Sequence, residues 1–328
     1  MPSVSSGPKI FAVAAAVVLA AGFWFAGVRT PRPISASVIR VVALSSSGRW
    51  IAAGTSQGAV YACGLAELNN CRAFEVEGRL NDLRFSESDE MVIADRNLRV
   101  ANPAVGQARR VRGDGANYGA VRISPGRRSI LTIDGKGAIE TIDLDTGRSS
   151  PAYCCSSIWG EVEFIDRGRR AVWAGHWPGM WDFAAGKLVG RFTAQREVMT
   201  FGPIEVDAEG RLAYMGSQDG HVYQWNTEGR ELLAKSPPLP GYVRTVKMLG
   251  GTGWIAYASQ PGAVHLWNPK NGEHRVVRAA RTASNIQFDR QRGLAVFGAE
   301  SGALEFWDLH NERLMESSPS FTTGAGQR

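Results

Sequence analysis

From about residue 38 onward the chain alternates short apolar stretches with polar turns, and no helical stretch interrupts the alternation. The same unit recurs: an apolar strand, a turn, a second apolar strand ending in small residues, a glycine turn, then a third strand. RLAYMGSQDGHVYQWN, GWIAYASQPGAVHLWN and GLAVFGAESGALEFWD are the clearest copies. The residue opening the third strand falls at Gly58, Asn97, Gly137, Gly179, Gly220, Gly262 and Gly302, a repeat of about 40 residues. Second strands such as WIAAG, SILTI, RAVWAG and LAVFG are nearly all apolar, so both of their faces must be covered by neighbouring sheets. Third strands (AVYAC, HVYQWN, ALEFWD) alternate more, as strands further from the axis should. Ser47-Gly48, Pro125-Gly126, Glu209-Gly210 and Asp219-Gly220 supply turn residues. Units that bury little alone share a core when stacked radially. The pattern predicts an all-β, seven-bladed β-propeller over residues 38–317. Its first blade opens at 38–44 and its last ends near 313–316, so the ring closes by packing, without a borrowed strand.

Ahead of this body, Ile10 to Val28 (IFAVAAAVVLAAGFWFAGV) carries no charge. Its nineteen residues make roughly 28 Å of helix, close to the hydrocarbon thickness of a bilayer. The expected organisation is a short tail (1–9), a single transmembrane signal anchor (10–28), a linker (29–37), the propeller, and a disordered tail (318–328). A cleaved signal peptide is the alternative, with Ser35-Ala36-Ser37 as a small-residue site, although the apolar run is longer than usual for one. Ala12, Ala16 and Ala20 share one face of such a helix, where small side chains let another helix approach. Lys9 on one side and Arg29, Arg32 and Arg40 on the other leave the orientation nearly balanced by charge.

The stretch SPGRRSILTIDGKGAIETIDLDTG (Ser124 to Gly147) and the endings Trp181-Asp182, Trp225-Asn226, Trp267-Asn268 and Trp307-Asp308 resemble WD40-type repeats. The resemblance covers nearly all of the chain beyond the anchor. It lacks the Gly-His dipeptide that opens the family's repeats. It therefore implies a divergent WD40-like propeller and weakens any transfer of the family's role.

Composition trims the remaining possibilities. With 44% hydrophobic residues and a net charge of only +6, the chain is not of the disordered class. A single apolar run of bilayer length excludes a polytopic membrane protein. There is no phosphate loop, HExxH helix or nucleophile elbow, so no catalytic residue is assigned. The five histidines share no ligand spacing, and neither a metal nor a cofactor is expected. Cys63 and Cys71 flank Glu67, where the third and fourth strands of blade one should form a hairpin, and symmetry about that turn would set them opposite each other. Two free thiols are the alternative to a disulfide. The adjacent pair Cys154-Cys155 resembles the vicinal cysteines of quinoprotein dehydrogenases, but this chain is too short for their eight blades and has no acidic metal-binding set.

Two rims collect distinct residues. Arg49, Arg127, Arg128, Arg167, Arg169, Arg170, Arg211, Arg290 and Arg292 fall in or beside turns between first and second strands. These turns should share one rim and make it basic, fit for anionic head groups or an acidic partner, or simply for solubility. Trp159, His176, Trp177, Met199, Phe201 and Tyr242 fall on the opposite rim, where exposed aromatics in loops suit a protein interface, although some could instead plug gaps between blades. Nucleic acid is not expected, because aromatics do not interleave with the arginines. The function anticipated is a non-catalytic, membrane-anchored scaffold in a membrane protein complex. The alternative is a propeller enzyme or cofactor protein of quinoprotein type. A Cys63–Cys71 disulfide would place the propeller in the periplasm; the cytoplasmic face is the alternative.

Overall fold

A computed structural model describes residues 38–124, 128–133, 137–153, 160–175, 177–193, 202–259, 263–277, 286–289, 292–299 and 301–321. These residues form seven four-stranded antiparallel sheets, each built from four consecutive strands. The first sheet runs from Ile39–Leu44 to Glu67–Glu75 and the seventh from Ile286–Asp289 to Arg313–Ser317. The first strand of every sheet touches the first strand of the next, and that of the seventh touches that of the first, so the sheets form a closed ring. This is a seven-bladed β-propeller. Its only helical element among the described residues is a 3-10 turn at Asp166–Gly168. No helix among them is long and apolar enough to cross a membrane. The apolar run 10–28, with Ala12, Ala16 and Ala20, lies outside the described residues, as does the pair Cys154-Cys155.

The two-faced burial expected of the second strands is present. Met91–Ala94 and Leu294–Gly298 are buried at every position, whereas the outermost strand of the second blade, Gln107–Arg112, is mostly exposed. Ring closure is a packing event: Ile39, Ile51 and Tyr61 of blade one share an apolar cluster with Val296, Leu304 and Phe306 of blade seven. The chain continues this seam past its last strand through residues 318–321, which the expected disordered tail had included; 322–328 lie outside the described residues. The Ser318 and Phe321 amides donate to Leu304 and Gly302, and the Phe321 ring stacks on Tyr61 at 4.8 Å. An aromatic ring covering an otherwise open seam outweighs the polar composition around it.

The repeat alignment also shifts at two blades. Gly220 occupies the turn with φ of 86°, and a Cβ there would meet the Leu239 carbonyl oxygen at 2.4 Å, so only glycine fits. Gly179 does open its strand, Gly179–Asp182, but it sits in the ladder itself, opposite Trp173, where Gly220 sits in the turn ahead of its strand. A Cβ at Gly179 would come within 2.4 Å of the Trp173 indole, so the glycine there makes room for a buried ring. Asn97 stands one place past the equivalent turn position, since Leu98 pairs with Ala94 as Val222 pairs with Gly216.

Candidate functional site: the channel and the blade-connection face

The first strands are short, and six of the seven carry a polar or charged residue at one common level. Register places Ala43, Arg84, Arg122, Glu163, Glu205, Lys247 and Gln287 at the same level, each opposite the middle residue of the second strand. All but Ala43 line a central cavity of roughly 160 Å³. Arg122 is the hub. Its side chain is only 7% exposed and donates to Asp82 Oδ2 at 2.9 Å, Glu163 Oε2 at 2.6 Å, Glu161 and its neighbour's carbonyl, that of Val121. Burial alone would depress this guanidinium, but the Glu161, Glu163 and Asp82 carboxylates hold it above its ordinary range. Burial also raises Glu163, aided by the nearby Glu205 charge and opposed by Arg122. Glu205 accepts from Lys247 Nζ at 2.9 Å. The axis is therefore a mixed ion network, and its charges serve one another.

This network was not legible as a site. The available signal was one charged residue inside each of several very short apolar strands, at a constant distance before the following turn. The partners, about 40 residues apart in sequence, come together only when blades are neighbours.

On the rim formed by turns between first and second strands, many of the arginines are ion-paired. The arginines do gather there, but they are matched by carboxylates. Arg49 pairs with Asp89 at 2.6 Å, Arg128 with Glu90 at 2.7 Å and Asp145 at 2.8 Å, and Arg169 with Asp182 at 3.6 Å. Arg170 pairs with Asp166, Arg211 with Glu209 at 3.9 Å, and Arg292 with Glu316. Arg167 has no such partner among the described residues, and Arg127 and Arg290 lie outside them. The acidic turn of blade two (SESDE) supplies Asp89 and Glu90 and cancels much of the field. Such exposed pairs add little stability.

Antiparallel order puts the second-to-third strand turns and the connections between blades on the opposite face. Trp177 is 38% exposed and Tyr242 43% exposed. Each carries an arginine: Arg191 lies over the Trp177 ring at 4.9 Å and Arg244 over the Tyr242 ring at 4.0 Å. The buried Trp173 Nε1 donates to the Trp177 carbonyl at 2.9 Å, fixing the turn that projects Trp177. Trp159, His176, Met199 and Phe201 lie outside the described residues.

Cys63 and Cys71 are bridged and directly opposed across their hairpin. The hairpin is not symmetric about Glu67, however. Gly64 pairs with Glu67, and three residues, Leu68 to Asn70, bulge before Cys71 regains register. Leu68 is 8% exposed and packs into the seam between blades seven and one, which accounts for the bulge. On the outer strands of blade six, His265 Nδ1 and His274 Nε2 lie 2.9 Å apart. Burial lowers both imidazoles, and the His274 charge lowers His265 further. His221 Nδ1 contacts the Ser236 carbonyl. No group of three or more His, Cys, Asp or Glu among the described residues could hold a metal ion.

The fold and this face define a seven-bladed propeller with paired charged side chains along its axis and exposed aromatic rings beside arginines on one face. The chain matches no protein-family model, and no curated protein matches its sequence.

Proposed function

We propose that the chain is a membrane-anchored, non-catalytic interaction module of the divergent WD40-like type, whose propeller docks protein subunits of a membrane complex. The reading rests above all on the two exposed aromatic rings, Trp177 and Tyr242, each under a guanidinium on one face of a rigid scaffold. Aromatic and arginine side chains supply most of the binding energy at protein interfaces, and rigid loops lose little entropy on docking. Residues 10–28 would hold the propeller at the bilayer. The Cys63–Cys71 bridge supports an oxidising compartment, hence the periplasmic side.

The test is capture from detergent-solubilised membranes with the full chain, followed by mass spectrometry. The same membrane proteins should be recovered repeatedly, and the Trp177→Ala/Tyr242→Ala variant should lose them while keeping its melting temperature. Recovery of this chain alone, or equal recovery by the variant, overturns the reading. Replacing Ala16 by Leu probes the anchor separately. Insertion should persist and assembly should weaken if the Ala12, Ala16 and Ala20 face meets another helix.

A further inference from the structure

The seams between successive blades are not all filled alike. Between blades five and six, Leu212, Ala234, Met248 and Trp267 pack into one apolar cluster, and Trp267 is only 2% exposed. Strand register assigns the equivalent places between blades three and four to Ser129, Ser150, Phe164 and Trp181. Ser129 stands opposite Asp143 as Leu212 stands opposite Asn226, and Ser150 opposite Thr141 as Ala234 opposite Gln224. Phe164 and Trp181 both pair with Ala171, as Met248 and Trp267 both pair with Ile255. Two serines thus stand where the other seam has apolar partners, and Trp181 is left half-buried. The four residues line a groove of roughly 610 Å³ instead of a packed seam. That volume falls within the about 300–1,000 Å³ of small-molecule sites.

The two walls of the groove differ in chemistry. Blade four supplies the rings of Phe164, Trp181 and Phe183, with the Phe164 and Phe183 centroids 5.9 Å apart. These rings pack from behind against the cluster of Leu131, Ile133 and Val162. Blade three supplies the hydroxyls of Ser129, Thr141, Thr146 and Ser150, together with Asp143 and Arg148. The Thr141 hydroxyl donates to the Ser150 carbonyl at 3.3 Å and that of Thr146 to Asp143 Oδ1 at 2.8 Å, so both hydroxyl oxygens are left to accept. The Thr146 and Asp145 amides also donate to Asp143 Oδ1, at 2.7 and 3.1 Å, and Oδ2 carries none of these bonds. Arg148 adds donors only. Among the described lining residues this carboxylate and this guanidinium balance, so the lining favours neither sign. A wholly apolar molecule would strand the polar wall, and an anion would meet Asp143. A pyranose ring matches both walls. Its C–H face suits the negative faces of the aromatic rings, and its hydroxyls meet donors and acceptors on blade three.

We propose that this groove binds a neutral sugar of one or two pyranose rings, its C–H face against Trp181 and its hydroxyls bonded to Asp143, Arg148 and the hydroxyl side chains of blade three. The site is separate from the Trp177 and Tyr242 surface, which lies on the opposite face.

The experiment uses the full-length chain in octaethylene glycol dodecyl ether, a detergent without a sugar headgroup. Isothermal titration compares cellobiose, maltose and N,N′-diacetylchitobiose with sorbitol, which has hydroxyls but no ring face. At least one disaccharide should bind about tenfold more tightly than sorbitol, or better. Ser129→Leu places at the groove the side chain that fills the other seam, and should abolish that preference without lowering the melting temperature. Arg148→Ala, at an exposed position, should weaken binding several-fold, and Arg211→Ala, outside the groove, should leave it unchanged. If Ser129→Leu does not fold, Arg148→Ala carries the test. No disaccharide binding better than sorbitol, wild-type affinity in folded Ser129→Leu or in Arg148→Ala, or an equal loss in Arg211→Ala overturns the proposal. Tighter binding of glucuronate than of every disaccharide also overturns it, in favour of an anion site. Each of these outcomes leaves the capture of membrane proteins to be decided by the Trp177→Ala/Tyr242→Ala variant.

Discussion

Removing the cation at the centre of the axial network should reveal how much of the ring depends on it. Arg122→Met keeps most of the side-chain volume but removes the central counter-charge of Asp82, 8% exposed, and Glu163, 23% exposed, leaving Arg84, 3.4 Å from Asp82, as the remaining cation beside them. Asp82 retains amide donors from Leu83 at 2.8 Å and Val121 at 3.0 Å, whereas Glu163 keeps only the Phe164 amide at 3.1 Å. Stranding a buried charge by deleting its partner costs about 3–5 kcal/mol. At about 2–4 °C per kcal/mol for domains of comparable size, the melting temperature should fall by on the order of 10 °C. Burial and the Glu205 charge already hold Glu163 above the usual carboxylate range, and losing Arg122 raises it further. The folded variant then binds protons more tightly than its unfolded chain, so its deficit shrinks as pH falls from 7.5 to 5. Asp82→Asn and Glu163→Gln in the Arg122→Met background should recover most of the loss. Circular-dichroism melts of the four chains at both pH values make the measurement. A drop under about 2 °C, or a deficit equally large at pH 5, would refute the argument that the network compensates buried charge.

The remaining predictions are narrower. His265 and His274 are held below the ordinary histidine value of 6.5, so the folded chain takes up fewer protons than the unfolded one near pH 6. Their contribution is present above pH 6.5 and is lost as pH falls through the folded values; the melting temperature of His265→Gln should depend less on pH between 7 and 5.5, and an identical dependence would count against it. Gly179→Ala forces a methyl onto the Trp173 indole and should cost about 1–3 kcal/mol, read as a lower urea midpoint. Cys63→Ser opens a short loop and should cost about 2–3 kcal/mol by the same assay. Alkylation of the native protein without reductant should label neither Cys63 nor Cys71, and ready labelling of both contradicts the bridge.

The repeating architecture could be read from the chain alone because each blade announces itself locally. Strands such as WIAAG and LAVFG are apolar on both faces, and with no helical stretch between strands to cover them, neighbouring sheets must. The Cys63–Cys71 pairing was similarly close at hand, being a matter of eight residues and one hairpin, although the Leu68 bulge that accommodates it answers to blade seven. What the chain alone could not show was the electrostatics of either face. Arg49 meets Asp89, and Arg122 meets Glu163, across partners about 40 residues apart, so the position of the arginines in the repeat could not show which carboxylates a neighbouring blade brings to them. Hydrophobic burial is dictated by residues near in sequence, whose periodicity records it. Charge compensation is decided by whichever residues the closed ring makes neighbours, and only the tertiary structure names them.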